Sequence, residues 1–272
     1  MGADAEIFVF DYERYRTEVV PALVQLLLAG EPEPWLGEVF QAATPNGEYG
    51  YDVIWPRLAT QLADQPTDLV RHCTWLGDDL RYHEAEPRDP LTLTCPSSTC
   101  PERRRCVFHQ ERHAVEDLNA LHEALVATRC LGKSQFVGRT ITPYFYEPAL
   151  DRLRVSAKDR VRELLAGLAT RGAVVGYQFG DTEGIHGWLT GPETAELARR
   201  LDALPLPRYP ATFEAMAERH KQTEYTHESW QDLSLSFVRT VSAIAAEDRK
   251  AVLWGNDICP DVWAETFGVA FA

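Results

Sequence analysis

The sequence predicts an α+β fold, with helices packed around a small mixed sheet, on three observations. Aromatic or β-branched runs recur at 6–10, 136–146, 173–179 and 251–254, and suit strands better than helices. Between them lie longer stretches whose apolar residues repeat at helical spacing. Helix start and stop signals punctuate these stretches, most plainly Thr190 with Glu193, a capping box, and Gly30 and Gly172 as natural helix ends.

Taken in order, the first strand (6–10, sequence EIFVF) runs into a helix over 13–28, with Val19, Val20, Leu23, Leu26 and Leu27 on one face. Pro21 has no amide to donate, so it must begin or kink that helix. Pro- and Gly-rich loops and an irregular aromatic region follow, then a helix over 67–80. Residues 84–105 are polar, rich in Pro and Cys and without helical periodicity, which marks a long connection. A helix over 112–129 places Leu118, Leu121, His122 and Leu125 on one face. In the second half, Ser156 and Asp159 precede a stripe of Val161, Leu164, Leu165 and Leu168. The segment 180–188 (GDTEGIHGW) is expected to be a loop, followed by helices over 190–204 and 228–246 and a last strand at 251–254. This divides the chain into an N-terminal α+β half, 1–150, and a C-terminal α+β half, 151–272, a division compatible with one continuous domain.

Composition narrows the function classes. With 41 acidic against 27 basic residues, the formal charge is −14. A binder of nucleic acid backbones relies on Lys and Arg to displace counterions, so nucleic acid is a poor partner for this chain. The same charge suits a basic protein partner, because complementary fields speed encounter. The first residues lack a basic flank, an apolar core and a small-residue cleavage site, and no apolar run reaches the roughly 20 residues a bilayer span needs. The expectation is a cytoplasmic protein without a membrane anchor. Basic positions are nearly all Arg, a composition that suits a GC-rich bacterium.

Three of the six cysteines cluster in CPSSTCPERRRCVFHQERH. The spacing Cys95-x4-Cys100-x5-Cys106-x2-His109 offers three thiolates and an imidazole, a donor set that suits tetrahedral zinc. His113, one helical turn beyond His109, and His72 and Cys73 are substitute ligands. The adjacent Arg103, Arg104 and Arg105 offset the negative charge that three thiolates leave on one zinc ion. A polar loop has little apolar surface with which to order itself, and metal ligation supplies that ordering energy. The fold class is thereby completed as α+β with a Cys-rich loop stapled by structural zinc. Cys130 and Cys259 read as small buried apolar residues.

Familiar catalytic patterns do not fit. His122-Glu123 and His227-Glu228 lack the second His of a zinc protease, and the Cys95 to Cys100 gap is too long for a zinc deaminase. Gly132-Lys133-Ser134 lacks the leading Gly of a phosphate loop, since Ala127 stands in its place. Asp181, Glu183 and His186 in 180–188 remain as binding residues, or as acid and base of a loop-based or metal-dependent hydrolase. The stretches GWLTGPETAELARRLDALPLP and SFVRTVSAIAAEDRKAVLWGND resemble the C-terminal part of small uncharacterised bacterial proteins of the YfbM type. Some relatives of that type resemble immunity proteins of toxin systems, so the resemblance implies an immunity or regulatory protein. It supplies no catalytic residues and no counterpart for the Cys segment. The leading expectation is a zinc-containing binding protein for a basic partner, with the hydrolase as the alternative.

Overall fold

The computed structural model describes residues 3–29, 33–36, 38, 56, 60, 104, 122–123, 125–170, 184–208, 212–222 and 227–258. Four strands, β1 (Asp4–Phe10), β2 (Leu131–Arg139), β3 (Gly184–Trp188) and β4 (Ala251–Asn256), form one sheet in the order β2-β1-β4-β3. Every pairing among the described strands is antiparallel, where the sequence suggests a mixed sheet. The reason is the order: β1 and β3 run in one sense and β2 and β4 in the other, and the two senses alternate across the sheet. Strands from both halves of the chain share this sheet, with β1 hydrogen-bonded on one side to β2 and on the other to β4.

Strand alternation sends Ala5 and Ile7 of β1 and Val252 and Trp254 of β4 to one face, where they join a single apolar cluster. That cluster is completed by α5 (Arg160–Thr170), α6 (Gly191–Asp202), α7 (Phe213–Gln222) and α8 (His227–Glu247) through Leu164, Leu168, Leu197, Leu201, Met216, Phe237 and Val241. The alternate residues Phe8, Phe10 and Leu253 are buried too, on the opposite face. There the rings of Tyr15 and Trp188 pack on Phe10, with centroids 5.5 and 6.0 Å away. A strand buried on both faces loses the usual apolar and polar alternation, which is why EIFVF and AVLW read as continuous apolar runs.

The first helix resolves the problem set by Pro21. Asp11 caps α1 (Tyr12–Arg14), its carboxylate accepting from the Arg14 amide at 3.0 Å. A π-helical turn, Tyr15–Val19, then leads into α2 (Val20–Ala29). The wider turn passes the hydrogen bond of Val20 back to Tyr15 directly before the proline, so the absent Pro21 amide does not break the helix. The helix ends at Ala29, next to Gly30, which lies outside the described residues.

In the region expected to be a strand over 136–146, β2 ends at Arg139 instead. Thr140 adopts a left-handed conformation (φ 53°), and Pro143 starts a 3-10 turn (Pro143–Tyr146) that continues into α4 (Glu147–Arg152). The cap of α5 is Asp159, whose carboxylate accepts from the Val161 amide at 2.9 Å, while Ser156 bonds the Lys158 amide. The capping box of α6 forms as the sequence predicts, with Thr190 and Glu193 each bonding the other's backbone amide.

α8 lies across β1, β2 and β4 and is buried on nearly every side from Gln231 to Ser242. Three of its polar residues fit there because their hydroxyls return to the preceding turn: Ser234 to the Trp230 carbonyl at 2.9 Å, Ser236 to Asp232 at 2.7 Å, Thr240 to Ser236 at 3.1 Å. α5 packs on β3 so closely that a Cβ at Gly187 would lie 2.4 Å from the Gly167 carbonyl oxygen. The helices expected over 67–80 and the strand over 173–179 lie outside the described residues.

Candidate functional site

The sequence-predicted ligands Cys95, Cys100, Cys106 and His109, their substitutes His113, His72 and Cys73, and the binding residues Asp181 and Glu183 lie outside the described residues. No group of three or more His, Cys, Asp or Glu side chains suited to a metal occurs among the described residues. No helix among them is long and apolar enough to cross a membrane.

His186 is described, and its setting differs from the expected loop. It belongs to β3, where the register with β4 slips between Ile185 and Gly187. His186 is the extra residue of that bulge, and it is buried. Pairing with β4 makes 184–188 a strand, which a polar, Gly-rich sequence alone does not reveal. The Ile185 amide donates to the carboxylate of Glu123 at 3.1 Å, so a side chain covers part of this edge strand.

Several described titratable groups, Asp11, Tyr15, His122 and Cys130, converge where β1 ends. Glu123 and its neighbour His122 belong to α3, a helix described at residues 122–123 and 125–130. His122 Nε2 and the Tyr15 hydroxyl share a hydrogen bond of 3.2 Å inside the core, with the Trp188 ring edge-to-face at 5.3 Å from the Tyr15 ring. Burial holds the imidazole neutral, lowering its pKa to about 3, and pushes the Tyr15 hydroxyl well above its ordinary value. Cys130 closes the same helix; burial raises its thiol to about 12. Its carbonyl accepts from the Asp11 amide at 2.8 Å, which ties α3 to the end of β1.

Towards solvent, Asp11 pairs with the Lys250 ammonium. Burial opposes ionisation of Asp11, but that ammonium and the Arg14 amide outweigh it and hold the carboxyl below its usual range. Glu18 accepts from both Arg14 at 3.0 Å and Arg129 at 3.3 Å, and the Arg129 guanidinium lies 4.7 Å from the Trp35 ring centre. The outer shell is therefore ionic and the inner one uncharged. A neutral imidazole, an un-ionised phenol and an un-ionised thiol supply packing and hydrogen bonds at neutral pH rather than a charged acid or nucleophile.

Helical spacing already places His122 on the apolar face of its helix. Its partner Tyr15 is separated from it by 107 positions, and no local pattern links the two. Asp11 and Lys250, 239 positions apart, are equally invisible to spacing.

The neutral His122 has a pH consequence. The unfolded chain takes up a proton below about pH 6.5, whereas the fold refuses it until about pH 3, so this contribution to stability is complete above 6.5 and is lost as pH falls. Urea unfolding of the wild type is expected to lose about 2 kcal/mol more between pH 6.5 and 5 than His122→Gln, which keeps a partner for Tyr15. Parallel pH profiles for the two proteins would show that the imidazole is protonated within the fold. No protein-family model, curated protein or solved structure matches the chain.

Proposed function

We propose that the chain is a cytoplasmic, zinc-containing binding protein that receives a basic protein partner, of the immunity or regulatory kind. The observation that carries this reading is the charge of −14. Some of its described carboxylates stand well outward, Glu13, Asp151 and Glu214 with side chains 72 to 74% exposed. Several arginines are meanwhile taken up by acids: Arg162 by Glu147 and Asp151, Arg160 by Glu163 and Glu193, Arg200 by Asp159 and Glu196. The surplus of negative charge attracts a positively charged surface and accelerates its encounter. The buried, uncharged state of Tyr15, His122 and Cys130 supports a packing role for the groups that acid–base chemistry would otherwise use.

Support for zinc is the chemistry of the donor set Cys95, Cys100, Cys106 and His109, three soft thiolates and an imidazole within fifteen positions. When bound, the ion cross-links its ligands and orders the polar loop that carries them. The immunity reading rests on the resemblance of 187–207 and 236–257 to YfbM-type proteins.

Two measurements check this function. The pure chain, immobilised and exposed to lysate of its host, is expected to retain a protein of basic isoelectric point at about 50 mM salt and release it towards about 500 mM. Failure to retain any basic protein at any salt concentration contradicts the partner. Elemental analysis of the pure chain is expected to find about one zinc per molecule, lost in Cys100→Ser. A fully folded protein without metal contradicts the staple.

A further inference from the structure

α6 and α8 run antiparallel, because α6 follows β3, α8 precedes β4, and those strands are antiparallel neighbours. Between the C-terminal end of α6 and the facing stretch of α8 lies a concavity of about 390 Å³. Three arginines, Arg199, Arg208 and Arg239, and two acids, Asp202 and Glu247, line it beside an apolar surface of Ala198, Ala243 and Ile244. In a chain with 41 acids and 27 bases, three arginines around one hollow run against the overall charge.

The three are held differently. Arg239 is only 7% exposed, and its Nη2 donates to the Pro207 carbonyl at 3.2 Å, so it contributes a fixed positive charge under the wall of the hollow. Arg199 and Arg208 stand at the rim, 71% and 75% exposed. Their acids are Glu196 at 3.9 Å and Asp202 at 3.4 Å, exposed contacts of the weak kind that a better-placed anion displaces. A guanidinium fork matches the paired oxygens of a carboxylate or phosphate, and a concave wall concentrates its field. The second acid lining the hollow, Glu247, is eight positions along α8 from Arg239, about 12 Å along the helix axis. It excludes a second negative charge at that end.

We propose that this groove binds a small amphiphilic organic anion, with one carboxylate or phosphate group held by Arg199 and Arg208 in the field of the buried Arg239 and an uncharged apolar body resting on Ala198, Ala243 and Ile244. This site is separate from the acidic surface offered to a protein partner, and its failure leaves that reading untouched.

The test is calorimetric titration of the full chain with four probes: benzoate, phenyl phosphate, inorganic phosphate and benzylamine. Benzoate or phenyl phosphate is expected to bind, and which of them binds more tightly identifies the anionic group. Inorganic phosphate is expected to bind more weakly than phenyl phosphate, and benzylamine not at all. The double variant Arg199→Gln/Arg208→Gln changes only exposed side chains; it is expected to melt with the wild type and to bind about tenfold more weakly. Raising the salt concentration on the wild type gives a second measure, an affinity that falls as salt rises. The proposal is overturned if neither organic anion binds, if benzylamine or inorganic phosphate binds as tightly as they do, or if the affinity is insensitive to both the double substitution and salt.

Discussion

The position of β1 constrains the rest of the fold. It lies between β2 and β4, hydrogen-bonded to both, and its side chains enter apolar layers on both faces. A central strand of this kind needs helices above and below, and it receives them from opposite ends of the chain. α8 packs on β1 over Ala5 and Ile7, with α5 and α6 on the neighbouring strands β3 and β4, while the first helical segment places Tyr15 against Phe10. Each large side chain so buried contributes about 1.5–3 kcal/mol relative to exposure. The pairing of residues 4–10 with 251–256 joins the two ends of the described chain, so the fold closes only when most of the chain has been made.

The polar interior follows from the same arrangement. Tyr15 and His122 meet because one follows β1 and the other lies on the helix that leads into β2, the neighbour of β1. Enclosed by Phe10 and Trp188, the pair is stable only while uncharged, and the ionic contacts Asp11–Lys250 and Glu18–Arg129 stay at the rim, where water still reaches them. Arg239 follows a different rule: its guanidinium is buried at the edge of the helix pair, with one arm on the Pro207 carbonyl.

What the sequence makes legible is local. The strands at β1 and β4, the capping box of Thr190 and Glu193, and the stripe of α5 are each written within a dozen residues, and each forms. The burial of Cys130 and Trp254 is equally readable from their apolar surroundings. Distant pairing is what remains hidden. β3 is the clearest case: Gly184–Trp188 has the composition of a loop and becomes a strand because β4 offers a free edge and Gly187 lets α5 approach. The antiparallel sense of the whole sheet is likewise a property of strand order, which hydrophobic runs do not encode. Of the candidate site residues, spacing placed His122 on the apolar face of its helix, but not Tyr15, Asp11 or Lys250 beside it, nor the three arginines of the α6–α8 groove.

The central claim is that β1 and β4 form one inner ladder that opens only with the whole fold. Native-state hydrogen exchange followed residue by residue tests it most directly. The amides of Ile7, Phe8 and Val9 are expected to exchange at the slowest rate in the protein, together with those of Val252, Leu253 and Trp254 and with the same opening free energy. Faster exchange of β1 than of the peripheral helix Phe213–Gln222, or separate opening energies for β1 and β4, would contradict the account.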